Sequence, residues 1–153
     1  MLNVNLEYIH GYLAAISALN NGVNCSSDYS IQVLPFDTDL RKTLEQLYDG
    51  ISGSSLDGGN IDPWNINVKQ IFPEQFKGFV EKWFFHQSCS PQMHKDNTQN
   101  CVETFLSLLP IALYESCIYH IYTNPPVFYE CVWDDFVLAY RDSYYFLHFG
   151  ISD

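Results

Sequence analysis

Basic residues are scarce in this chain of 153 residues, which has seven Lys and Arg against 18 Asp and Glu and a formal net charge of −11. A protein with this excess of negative charge repels nucleic acid and anionic membranes. Long apolar runs are also lacking, because stretches such as 105–113 contain polar residues and are much shorter than a membrane span. We therefore expect neither a nucleic-acid partner nor a membrane partner.

Several sequence signals of enzymes and exported proteins are missing as well. There is no glycine-rich phosphate loop, no His-Glu-x-x-His and no EF-hand spacing. The opening residues 1–7 contain no Lys or Arg, which is unlike a secretory signal and favours a cytoplasmic protein. We therefore expect that the protein is not an enzyme and that it requires no cofactor. The five irregularly spaced cysteines are then expected to be reduced thiols, and they are Cys25, Cys89, Cys101, Cys117 and Cys131.

Hydrophobic residues are abundant, at 47% of the chain, which excludes a disordered protein and favours a single folded domain over residues 1–153. The negative charge is uneven: residues 1–95 carry −4 and residues 96–153 carry −7. Two interpretations remain open. In the first, the charge keeps an aromatic-rich protein in solution, and in the second it steers a cationic partner toward the surface.

The first half of the chain alternates helical and extended patterns. Apolar spacing predicts a helix over about 5–20, capped by Asn3 or Asn5, and a strand over 29–34. A second helix, capped by Asp37 or Thr38, is expected to end near Gly50. Residues 51–63 then have loop composition, and Pro73 suits the first turn of a third helix.

The second half predicts one long helix and a terminal hairpin. Residues 102–122 have helical spacing, with a kink or break expected at Pro110. Residues 136–140 and 144–149 have strand composition around a turn at 141–143, whereas Val127–Trp133 remains open between strand and helix. The predicted fold class is α+β, with a mostly helical body and a small C-terminal antiparallel β-hairpin or meander.

Two groups of Cys and His residues have the atom types needed for chemistry. His86, Cys89, His94 and Cys101 offer zinc ligands, but their spacing matches no common zinc motif, so we expect no metal. Cys117 and His120 would share a face of the long helix, as a nucleophile and its base do. Cys117 also continues the apolar stripe of that helix, which favours burial as a small hydrophobic side chain.

The C-terminal strands carry further polar candidates. Asp134 and Asp135 would point opposite ways on an extended chain, which argues against a shared metal or acid–base site and favours a solvated acidic turn. In the final strand, Tyr144, Phe146 and His148 would share one face while Tyr145, Leu147 and Phe149 fill the core. We expect His148 to be a hydrogen-bonded packing residue.

The tail 134–153, which ends in His-Phe-Gly-Ile-Ser-Asp, resembles the C-termini of some bacterial immunity proteins. Such proteins neutralise polymorphic or contact-dependent growth inhibition toxins, many of which are basic nucleases. The resemblance covers about the last 20 residues. It implies a small acidic cytoplasmic inhibitor that masks the active or substrate-binding surface of a basic toxin domain.

The sequence thus favours a protein whose partner is a cognate basic protein toxin, with a nuclease as the expected class. Partner binding is predicted at the acidic and aromatic residues of the C-terminal third: Glu130, Trp133, Asp134, Asp135, Tyr140, Asp142 and Tyr144. Residues 51–63, with Asp57 and Asp62, form a second acidic candidate. The alternatives are a small Cys/His metalloprotein or enzyme, and a generic protein-interaction adaptor.

Overall fold

The computed structural model describes residues 5–53, 63–86, 98–109 and 116–153. In chain order these residues form α1 (Leu6–Asn20), β1 (Ser26–Leu34), α2 (Leu40–Ser52), β2 (Asn65–Ile71), α3 (Pro73–Glu81), a π-helical turn (Lys82–His86), α4 (Thr98–Leu108), β3 (Ser116–Asn124), β4 (Val132–Tyr140) and β5 (Ser143–Ser152).

The five described strands form one antiparallel sheet in the order β1-β5-β4-β3-β2. The expected C-terminal hairpin is present as β4 and β5, joined by a tight turn in which Arg141 has a positive φ of 51°. The prediction of a helical body with only a small hairpin is wrong, because the sheet also recruits β1, β2 and β3 and is a large part of the fold.

Helix starts follow local capping chemistry. Asn5 accepts a hydrogen bond from the Tyr8 backbone N–H at 3.1 Å, and α1 confirms the predicted helix. Pro73 is the first residue of α3, as expected. The cap of α2 is Asp39, which accepts from Arg41 N–H, so the predicted caps at Asp37 and Thr38 were placed too early.

The helix predicted over 102–122 is confirmed as far as Leu108 and is wrong from Ser116 onward. Helix α4 ends at Leu108, and residues from Ser116 onward belong to β3, while Pro110 lies outside the described residues. Strand β3 carries apolar side chains to both faces of the sheet, Ile118 to the first and Ile121 to the second, so no period of two is visible. Cys117 and Ile121 also match a four-residue helical spacing. Strand β4 begins at Val132, so most of Val127–Trp133 is neither strand nor helix.

The sheet is covered on both faces, which gives the domain two cores. On the first face, α1, α3, the π-helical turn and α4 pack against strand residues that include Phe136, Leu147 and Phe149. On the second face, α2 packs Leu44 and Tyr48 against strand residues of the other alternation. The predicted division of β5 is confirmed, because its even-numbered residues lie on the second face and Tyr145, Leu147 and Phe149 lie on the first.

Cys25 is disulfide-bonded, so the expectation of five reduced thiols is wrong at this position. Cys101, Cys117 and Cys131 are free thiols. Among the described helices, none combines the length and the apolarity that crossing a membrane would require.

Candidate functional site

Strand β4 carries two adjacent carboxylates to opposite faces of the sheet. Asp135 is in register with His148 and lies on the second face, whereas Asp134 is in register with Phe149 on the first. The prediction that they point opposite ways is confirmed. The expectation of a solvated turn is wrong, because both lie within a strand and their side chains are only 0% and 12% exposed.

Asp135 is the centre of a buried hydrogen-bond network on the second face. Its carboxylate accepts from the Tyr48 hydroxyl at 2.6 Å and from the Tyr129 hydroxyl at 3.1 Å. Burial and the neighbouring charge of Asp135 raise the pKa of both tyrosines, so they keep the protons that they donate. This network attaches α2 and the segment before β4 to the centre of the sheet.

His148 is the third partner of Asp135, with Nδ1 2.6 Å from the carboxylate. Its other ring nitrogen, Nε2, lies 3.6 Å from a Glu130 carboxylate oxygen. Burial by itself would lower the pKa of His148, but the hydrogen bonds to Asp135 and Glu130 outweigh it and raise this pKa to about 9. The expectation of a hydrogen-bonded strand histidine is confirmed, and the structure supplies the partners that the sequence did not reveal.

Asp28 completes a group of potential metal ligands around His148. The ligand atoms of Asp28, Glu130 and His148 all lie within 4.8 Å of one another, and no other group of this kind exists among the described residues. Gly150 lies in register with Asp28 on the neighbouring strand. A Cβ atom at position 150 would come within 2.6 Å of His148 Nε2, so glycine provides the space that the ring occupies.

Asp134 organises a second network on the first face of the sheet. It accepts hydrogen bonds from Lys82 at 2.9 Å and Trp83 at 2.7 Å, and its other oxygen lies 2.8 Å from His120 Nε2. Burial opposes ionisation of Asp134, but the hydrogen bonds from these three residues outweigh it and lower the pKa of the carboxyl. The arrangement ties the π-helical turn to β3 and β4.

The two Cys–His groups, which the sequence did not favour as functional sites, are only partly covered by the described residues. Cys117 and His120 lie on a strand rather than a helix, so residues three apart face opposite sides and do not share a surface. Cys117 is also exposed, contrary to the expected burial. For the zinc candidates, the side chains of His86, Cys89 and His94 lie outside the described residues, and Cys101 is a half-buried free thiol.

The seven residues predicted for partner binding differ in accessibility. Asp142, at the tip of the hairpin, is exposed, and Trp133 is half-buried. Asp135, Tyr140 and Tyr144 are buried, and the Glu130 and Asp134 side chains are 10% and 12% exposed. The predicted set consists of residues that are close along the chain. In the structure they are distributed over the two faces of the sheet, and several of them form internal hydrogen bonds.

An acidic groove lies beside α2. It has a volume of about 240 Å³ and is lined by Glu45, Asp49, Pro63, Trp64 and Ile66. Both carboxylates are exposed, while Trp64 and Ile66 are buried in the second core. Carboxylates beside an apolar floor suit the charged end and the methylene stem of a Lys or Arg side chain. Sequence reasoning missed this groove, although it predicted an acidic surface in the adjoining residues 51–63.

Together these features define an α+β domain with a central antiparallel sheet, a buried carboxylate–histidine network and an acidic surface groove. No protein-family model, curated protein or solved structure matches the chain. The chemistry of the described residues is therefore the basis on which a function can be assigned.

Proposed function

We propose that this chain binds and neutralises a cognate basic toxin domain, of the nuclease class, in the manner of an immunity protein. The observation that carries the proposal is the uncompensated negative charge. Four of the six described Lys and Arg residues are already in ion pairs within the chain. The exposed carboxylates that form no ion pair with described Lys or Arg include Glu7, Asp49, Glu74 and Asp142.

The α2 groove is the surface that best fits a basic partner. Asp49 has no ion pair among the described residues, and Glu45 has only an exposed contact with Arg41 at 3.4 Å. Exposed pairs of this type contribute about 0–1 kcal/mol, so a partner's Arg or Lys can replace Arg41 at small cost. A charge pair that becomes desolvated at an interface contributes much more to specificity and to the association rate.

The C-terminal surface is the competing location for the same function. Much of the negative charge of residues 96–153 is internal or already paired. Glu130, Asp134 and Asp135 are buried or nearly so, and the exposed Glu103 pairs with Lys77. Asp142 remains exposed at the hairpin tip. Partner binding there would use this carboxylate, whereas the half-buried Trp133 lies at the opposite end of β4.

The proposal requires a cytoplasmic location, where a nuclease toxin acts. Disulfides seldom persist in reducing cytoplasm. We therefore expect binding to be unchanged when the disulfide of Cys25 is reduced. A generic adaptor is the alternative, and it differs in that its partner would not be neutralised.

The test uses an inactivated form of the toxin domain that the proposal expects to be encoded immediately upstream of this chain's gene, with its Kd measured by calorimetry. The double variant Glu45→Gln plus Asp49→Asn should weaken binding at least tenfold, since removing a desolvated charge partner costs ~2–5 kcal/mol. The matched control, Glu7→Gln plus Glu74→Gln, makes the same charge change on α1 and α3, which pack on the other face of the sheet.

The variants separate the outcomes. An equal loss in both double variants would show a general charge effect rather than a groove. A loss confined to Asp142→Asn would place the contact at the hairpin tip. If wild-type protein neither binds the domain nor protects cells from the active toxin, the proposed function is wrong.

A further inference from the structure

Three parts of the chain that are far apart in sequence bring metal-ligand atoms together at one end of the sheet. Asp28 comes from the edge strand β1, His148 from the neighbouring strand β5, and Glu130 from the segment that enters β4. Their ligand atoms lie within 4.8 Å of one another. This separation is short enough for a single ion at 2.0–2.2 Å from each ligand, roughly the range for N and O ligands of Zn²⁺, after small side-chain adjustments.

The charges in this cluster are unbalanced. Three carboxylates, those of Asp28, Glu130 and Asp135, surround one imidazole, and no Lys or Arg of the described chain forms an ion pair with them. Removing charges from water is expensive unless opposite charge is supplied nearby. A bound cation would supply that charge.

Glu130 provides an observation independent of the acidic character of the cluster. Its side chain is only 10% exposed, and its Oε2 atom is buried without a hydrogen-bond partner among the described residues. Buried carboxylate oxygens are normally paired. The other oxygen of the same carboxylate is 3.6 Å from His148 Nε2, so the unpaired group lies at the cluster itself.

His148 is held as metal-binding histidines usually are. Its Nδ1 lies 2.6 Å from Asp135, which is itself fixed by the hydroxyl of Tyr48. A carboxylate that accepts from one ring nitrogen orients the imidazole and increases the basicity of the other nitrogen toward a metal. That other nitrogen, Nε2, is the one that faces Glu130.

We propose that Asp28, Glu130 and His148 bind one divalent transition-metal ion, of which Zn²⁺ is the test case. One nitrogen and two carboxylate ligands favour a transition metal over Mg²⁺, which prefers oxygen ligands. Binding of the metal would displace the proton from Nε2, because only the deprotonated nitrogen can donate an electron pair to a metal. The proposal is independent of the toxin-binding function. The proposed site also shares no residue with the Cys and His side chains that the sequence offered as zinc ligands, among them Cys89 and Cys101.

The experiment is calorimetric titration of the chelator-treated, dialysed full chain with Zn²⁺ and, separately, with Mg²⁺. We expect one Zn²⁺ per chain and at least tenfold weaker binding of Mg²⁺. Asp28→Asn and Glu130→Gln should each weaken Zn²⁺ binding tenfold or more, since each removes one of three ligands. Asp28 is exposed on an edge strand, so its variant tests the site even if Glu130→Gln does not fold, which circular dichroism will show.

Two matched variants control for other zinc ligands. Glu74→Gln makes the same change as Glu130→Gln at an exposed position, and Cys101→Ser removes a thiol of the group considered in the sequence. Both should bind Zn²⁺ as the wild type does. The proposal is overturned if wild-type protein binds no stoichiometric Zn²⁺, if Asp28→Asn binds as tightly as wild type, if Mg²⁺ binds equally well, or if Cys101→Ser abolishes binding.

Discussion

At the scale of single residues, Asp135 illustrates how position in a sheet changes what a carboxylate does. The adjacent pair Asp134 and Asp135 has the composition of an exposed acidic turn, yet each residue anchors a separate buried network. Side-chain alternation was readable from the sequence, but burial was not, because it depends on which helices cover each face. The true turn, two residues long, lies further on at Arg141 and Asp142.

We predict that Asp135→Ala lowers the free energy of unfolding by ~3–5 kcal/mol, because it leaves His148 and two tyrosine hydroxyls buried without their acceptor. Asp142→Ala, which removes an exposed carboxylate at the hairpin tip, should change it by about 0.5 kcal/mol or less. Urea denaturation followed by circular dichroism measures both. Equal stability of the two variants would show that the network contributes little.

At the scale of elements, the sequence predicted α1, α2, α3, most of β1 and the β4–β5 hairpin, because each has a clear local period or cap. It missed β2, although Ile66 and Val68 alternate with polar residues. It assigned β3 to a helix, since Cys117 and Ile121 fit both periods. Only the strand pairing that places β3 between β2 and β4 resolves that ambiguity.

The candidate metal group was less predictable than the elements, because it depends on register. Asp28 and Glu130 become neighbours only through the pairing of β1 with β5, which places Asp28 opposite Gly150. The sequence offered one weak signal, a glycine two residues after a strand histidine. A glycine inside a strand often marks a close approach of other atoms.

His148 makes the stability of this part of the sheet depend on pH. It faces Asp135, Glu130, Asp28 and the hydroxyl of Tyr129, and its folded-state pKa of about 9 is above the ordinary value of 6.5. A raised pKa means that the protonated form stabilises the fold. This stabilisation is fully present below about pH 6.5 and is lost as the pH rises through 9.

We therefore predict that metal-free protein loses roughly 3 kcal/mol of unfolding free energy between pH 6 and pH 9.5, in proportion to the pKa shift. His148→Gln should be less stable at pH 6 and should lack this contribution to the slope. Denaturant titrations across the range, with chelator present, give the comparison. Parallel pH curves for the two proteins would contradict the assignment of the slope to His148.

At the scale of the whole molecule, charge and fold play separate roles. The carboxylates of Asp134 and Asp135 are used inside the domain, where they join helices to the sheet. The exposed ones dominate the electrostatic field outside it, because most described basic residues are already paired. The net charge of −11 therefore exerts a long-range electrostatic force on an approaching protein.

This long-range field leads to the last prediction, which concerns the rate of association with the basic toxin domain. Attraction between opposite net charges accelerates encounter, and salt screens it over a Debye length of ~10 Å at 0.1 M ionic strength. We expect the association rate constant to fall at least tenfold between 10 and 300 mM NaCl, while the dissociation rate changes much less. Stopped-flow fluorescence of the tryptophans provides the measurement.

The double variant Glu7→Gln plus Glu74→Gln should reduce the salt dependence although it leaves the α2 groove intact, since steering depends on total charge rather than on one contact. An association rate that is independent of salt would exclude electrostatic steering, and the acidic composition would then serve the solubility of the chain.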